Sequence, residues 1–149
     1  MTDDWQPKET TTHQDHVIAH VLGATVFSYF IFDEALHVLL DIGFVWTIYL
    51  DGQMMLLPQV AAVIELEADA ETRSELNREI ESLARDGRGA EDLKRITPAR
   101  VECLITEVNF FADRERRRLV LLGEEADLTI ETSLETAEIH IKSMVKGKG

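Results

Sequence analysis

The segment from Leu36 to Asp51 constrains the fold more than any other. Its even positions, Leu36, Val38, Leu40, Ile42, Phe44, Trp46, Ile48 and Leu50, are all apolar, whereas the odd positions are mixed. A strand sends successive side chains to opposite sides, and a helix returns to one face only every 3.6 residues. A period of two held this long therefore means pleated backbone with one dry face. Gly43 marks a bulge or bend that splits the run into two shorter strands. Asp51-Gly52 supplies a tight turn, after which Gln53 to Leu57 returns as a second arm ended by Pro58. Phe44, Trp46, Tyr49, Met54 and Met55 crowd this hairpin with apolar bulk. If both faces are apolar, one helix does not cover them, and a second sheet layer or a second subunit must. These five residues are the candidate interface of a homodimer. In a sheet that closes on itself, such side chains would instead line a small-molecule pocket.

The rest of the chain fills in around that hairpin. Residues 1–14 are polar and threonine-rich and read as a flexible N-terminal arm. Residues 15–144 read as a single domain, and 145–149, with Lys146-Gly-Lys-Gly, as a disordered tail. Asp15 to Phe32 fits a strand or a buried helix. Val60, Ala62, Ile64 and Leu66 alternate as another strand. Leu76, Ile80 and Leu83 recur at helical spacing between a capping Asp69 and Gly87, predicting a helix over about 70–86. Strands follow from Val101 towards Phe110, at Leu119–Leu122, at Leu128–Thr132 and around Ile139 and Ile141, with a charged turn at 113–117 and a hairpin turn at 133–136. Short connections favour antiparallel neighbours. The expected fold is α+β: a twisted antiparallel sheet or partly closed barrel of six to eight strands, with one main helix packed on it.

Charge narrows the partners. The 149 residues carry 28 acids against 15 lysines and arginines, a net charge of −13. Residues 1–70 alone hold 11 acids and one lysine. Such a field repels a phosphate backbone, so no nucleic-acid partner is expected, and it attracts a basic protein partner. Cys103 is the only cysteine, which excludes an internal disulfide and a thiolate zinc cage. The longest uncharged run, Val17 to Phe32, is 16 residues, short of the ~20 a bilayer-spanning helix needs. The amino terminus lacks a basic signal-peptide region. The expectation is a cytoplasmic protein without a membrane partner.

Chemistry-bearing residues are sparse. His13, His16 and His20 share one face if their segment is helical, and with His37 they are candidate metal ligands. On a strand, His16 and His20 would sit about 13 Å apart and form no chelate. Glu34-Ala-Leu-His37 has the Glu-x-x-His spacing of half a di-metal site, but no second copy follows. Asp41 shares the mixed face with His37, and Asp51 is turn chemistry. Phosphate loops and serine elbows are absent. Phe110-Phe111 with Arg114, Arg116, Arg117 and Arg118 has the aromatic-plus-basic character of a nucleic-acid surface, but interleaved acids make it a charged hairpin end. No cofactor is implied. The leading expectation is a non-enzymatic protein that self-associates, as a dimer, or binds a protein partner. The alternatives are a small-molecule-binding barrel and a histidine-based metal-dependent hydrolase.

Overall fold

The computed structural model describes residues 4–86 and 95–145, with the side chains of 83–86 and 99–102 left aside. Its strands are β1 (Gln6–Pro7), β2 (Thr25–Phe32), β3 (Ala35–Leu40), β4 (Phe44–Tyr49), β5 (Met54–Pro58), β6 (Thr97–Asp113), β7 (Arg116–Gly123), β8 (Ala126–Ser133) and β9 (Glu138–Val145). The helices are α1 (Thr12–Val21), α2 (Gln59–Glu65) and α3 (Ala70–Asp86). Two four-stranded meanders join into one antiparallel sheet in the order β5-β4-β3-β2-β6-β7-β8-β9, and β1 pairs with β6 off this path. The long β6 bridges the halves: its first part pairs with β2, and Phe111 and Ala112 near its end pair with β1. The class is α+β and antiparallel, as the sequence predicts. The sheet is larger than predicted, with nine strands among the described residues, and three helices replace the single one.

The alternation at 36–50 survives its own turn. Gly43, at φ +82°, lets the chain reverse between β3 and β4. The register sets Val38 opposite Trp46 and Leu36 opposite Ile48, so even positions share one face. The next turn keeps that phase, with Ile48 opposite Met54 and Trp46 opposite Leu56. This face joins Val17 and Val21 of α1 and Phe110, Leu119, Leu121, Leu128 and Ile130 of the second meander in one core. The sheet thus curls over its own apolar face without closing. Where the halves meet, the Thr132 hydroxyl donates to the Leu50 carbonyl. Gly52 lies directly against the Phe110 ring. Trp46, fully buried here, anchors the core, and its truncation to alanine would cost about 3–5 kcal/mol.

The odd positions serve a second core. Phe30, Leu39 and Val45 pack beneath Ala62 and Val63 of α2 and Leu76 and Ile80 of α3. The 70–86 helix has the predicted extent, and Asp69 caps it by accepting the Thr72 amide at 2.7 Å. The strand predicted at 60–66 is a helix instead. Ala62, Val63 and Leu66 face the sheet, while Val60 and Ile64 project outward at 65% and 62% exposure. Their alternation with Ala62 and Leu66 is coincidental. The ambiguous 15–32 stretch divides: a capping box between Thr11 and Gln14 starts α1, and Gly23 at φ +89° turns the chain into β2. Residues set apart as an arm have partners, because Gln6–Pro7 pairs with β6 and the Lys8 amide donates to the Phe110 carbonyl at 2.9 Å. The tail at 146–149 and the Gly87 cap lie outside the described residues.

Candidate functional site

The five candidate interface residues do not form an exposed patch. Trp46 and Met54 are fully buried, Phe44 and Met55 are half-buried, and only Tyr49 is exposed, its hydroxyl donating to the Met55 sulfur at 3.0 Å. The second meander and α1 cover the even face, and α2 and α3 cover the odd one. The apolar excess that called for a second layer is met within one chain. A ligand has little room there. The space between Ile48, Met54, Phe110 and Ile130 is about 10 Å³, no more than one water.

The histidines do not converge. α1 buries Gln14, Val17 and Val21, which leaves His13, His16 and His20 together on its outer side. His13 Nε2 lies 3.0 Å from the Met54 carbonyl, and His20 Nδ1 lies 2.8 Å from the His16 carbonyl. A carbonyl only accepts, so each of these nitrogens carries its proton and is committed as a donor. His37 belongs to the opposite face of the sheet, in the register row of Thr47. Among the described residues, no group of three His, Cys, Asp or Glu side chains is placed to hold a metal ion. Of the two conformations open to this stretch, residues 13–20 take the helical one, yet the sheet separates His37 from the other three.

His37 is a structural pin. It is buried and stacks on the Phe30 ring at 4.7 Å between centroids. Its Nε2 faces the Phe32 carbonyl at 3.3 Å, so Nε2 carries the proton and Nδ1 accepts from the Thr47 hydroxyl at 3.0 Å. Burial pushes its pKa below the ordinary 6.5, against smaller opposing effects of the Phe32 carbonyl and of Asp33. The adjoining crevice, between Asp33, Tyr49 and Glu65, holds about 90 Å³. Both ring nitrogens are engaged, leaving neither for acid–base work on a ligand in that crevice. Asp41 is not a partner of His37: its carboxylate accepts the Thr25 amide at 2.8 Å. Asp51 is turn chemistry, accepting the Gln53 amide at 2.9 Å. Cys103 is fully buried in the inner core.

Two of the hairpin-end arginines are held in ion pairs. Arg118 pairs with Glu131 at 2.9 Å, and Arg116 pairs with Asp113. The hydrogen bond from Arg116, aided by the Asp4 amide, holds the Asp113 carboxyl below its usual pKa. The two guanidiniums also grip the Trp5 ring, at 4.7 and 4.3 Å from its centroid. These contacts dock residues 4–8, and no sequence pattern announces them. A groove of about 630 Å³ runs past the hairpin ends, lined by Asp4, Glu115, Glu131, Glu135 and Glu138 among others, with Arg114, Arg116 and His140.

The two ends of the sheet differ sharply. At the β5 end, α1 lies against the strand, where His13 donates to the Met54 carbonyl and Gln14 to the Gly52 carbonyl at 2.9 Å. Pro58 ends that strand. At the other end, β9 runs for eight residues without proline or bulge, and among the described residues nothing pairs with its outer side. Register fixes its faces. Glu138, His140, Lys142 and Met144 lie with the outward residues of β8, and Ile139, Ile141, Ser143 and Val145 with the inward ones. Only Ile139 and Ile141 pack on the core, while Met144 and Val145 are 68% and 59% exposed. Natural sheets blunt such edges, because a row of unpaired amides and carbonyls is a template for another strand. Alternation shows which residues share a face but not which strand ends the sheet, so the sequence alone conceals this edge. No family model, curated protein or solved structure matches the chain.

Proposed function

We propose that this chain is an association module that offers β9 to another polypeptide as a docking edge. The observation that carries the reading is the contrast between a β5 edge stopped by α1 and Pro58 and an eight-residue β9 edge whose outer side has no strand partner among the described residues. Strand addition suits such an edge, since backbone hydrogen bonds supply affinity and alternate side chains supply selectivity. The filled inner seam and the dispersed histidines give no support to the small-molecule barrel or the metal-dependent hydrolase. A basic partner is a second reading, favoured by the carboxylate-rich groove past the hairpin ends.

In-cell photocrosslinking tests the main reading. A photoreactive residue replaces Met144, which stands on the exposed face of β9, and a control replaces the exposed Ile42 in the β3–β4 turn. The reading expects polypeptide adducts from position 144 and none from 42. Adducts from neither position, or equally from both, refute it.

A further inference from the structure

We infer that the polypeptide received by β9 is a second copy of this chain, paired antiparallel about a two-fold axis at His140; this rests on the reading of β9 as an association edge. The argument is the self-complementarity of the strand. Residues directly opposite in an extended sheet share a face, so a symmetric pairing must match even positions with even and odd with odd. Centred on His140, it sets Glu138 opposite Lys142 of the second copy, and Lys142 opposite its Glu138, on the outward face. On the inward face it sets Ile139 opposite Ile141, twice. Glu138 and Lys142 then each meet an opposite charge and each half-buried isoleucine meets another, while His140, whose Nε2 lies 2.8 Å from Glu138 of its own strand, faces its counterpart. Centring one position later sets His140 against Lys142 and Glu138 against Met144. Centring one position earlier sets Glu138 against His140 and Ile139 against its counterpart, but leaves Lys142 against Thr136 and Ile141 against Ala137, in the hairpin turn. Cross-strand pairs of opposite charge and of apolar residues stabilise a sheet, and like charges directly opposite destabilise it. The pairing at His140 is thus the one the side chains select, and it continues the nine-stranded sheet into a second nine.

Two charge reversals and their mixture test this. The unaltered protein, at about 0.3 mM in low salt, is expected to show twice the 16.9 kDa chain mass by light scattering, in keeping with a small interface that associates weakly. Lys142→Glu sets glutamate opposite glutamate at both ends, and Glu138→Lys sets lysine opposite lysine. Each variant alone is expected to dissociate about tenfold more readily. Mixed in equal amounts, they form a heterodimer with both pairs opposite in sign, and dimer mass returns. This recovery also shows that neither variant has simply lost its fold. A monomeric unaltered chain at this concentration overturns the second copy as occupant. Variants that dimerise undiminished, or a mixture that fails to recover, overturn the pairing at His140. Adducts from position 144 to other proteins alone would retain the docking edge and refute the self-pairing, so the two ideas fail separately.

Discussion

Replacing Gly52 with alanine probes the contact that holds the two halves of the sheet together. Gly52 has φ +89°, so any L-residue there is strained, by about 1–2 kcal/mol, partly offset by the ~0.5–1 kcal/mol of chain entropy that alanine saves in the unfolded state. Gly43 shares this backbone condition at φ +82° but has open space where its Cβ would point. A Cβ on Gly52 would instead drive into Phe110 Cζ and stand 3.1 Å from Cε1. Phe110 is buried between Met54 and Leu119 in the shared core, so the ring has little freedom to yield. Overpacking of this kind costs about 1–3 kcal/mol. Gly43→Ala is thus expected to destabilise by roughly 1 kcal/mol or less, and Gly52→Ala by about 2–4 kcal/mol. Urea unfolding of both variants gives the difference. Phe110→Leu in the Gly52→Ala background should recover part of the overpacking cost, and a double-mutant cycle isolates it. Equal losses for the two glycine variants would refute the docking of the 50–53 turn on the second meander.

Two further substitutions test the outer core and the sheet centre. His37 is held neutral in the fold with its pKa below 6.5, so over the window from that lowered value up to about 6.5 the unfolded chain binds the extra proton. Stability is therefore complete above pH 6.5 and falls as pH drops through that window, with a slope approaching ~1.4 kcal/mol per pH unit. His37→Gln retains a donor and loses the titration, so its stability should decline less steeply between pH 7.5 and 5.5; parallel curves for the two proteins would count against the buried neutral imidazole. The Ser28 hydroxyl is buried and meets no hydrogen-bond partner among the described residues, so Ser28→Ala removes a polar group whose desolvation costs about 1–3 kcal/mol. Thermal unfolding should show an equal or higher midpoint, and a drop of several degrees would mean the hydroxyl has a partner.

The sequence carried the local geometry further than the long-range arrangement. The alternation from Leu36 to Leu50 was legible because a hairpin with even-numbered register keeps a period of two in phase through its turn. The 70–86 helix was legible because Leu76 and Ile80 bury on one side of a charged sequence. Residues 60–66 misled because Ala62, Val63 and Leu66 satisfy helical spacing while Val60 and Ile64 mimic alternation. The crowding of Phe44, Trp46 and Met54 called for a second sheet layer or a second subunit, and the structure supplies a sheet layer. Pattern alone could not say that the layer is the other half of the same sheet, since that pairing spans more than sixty residues of chain, from Ile48 to Leu119. The separation of His37 from His13, His16 and His20 has the same origin: one lies on an odd sheet position, and the others on a helix packed against the even face.

A cysteine placed on the proposed two-fold axis tests self-pairing most directly. Opposite positions in an antiparallel pair bring Cβ atoms to about 4.5–5.5 Å, close enough for a disulfide after small adjustment, so His140→Cys should become a covalent dimer on mild oxidation. Lys142→Cys would face Glu138 of the second copy, with its own counterpart four residues along the strand, about 13 Å away, and should remain uncrosslinked. The native Cys103 is buried and takes no part. Efficient crosslinking at 140 with none at 142 is the predicted result; crosslinking at 142, or at neither position, would contradict β9 self-pairing.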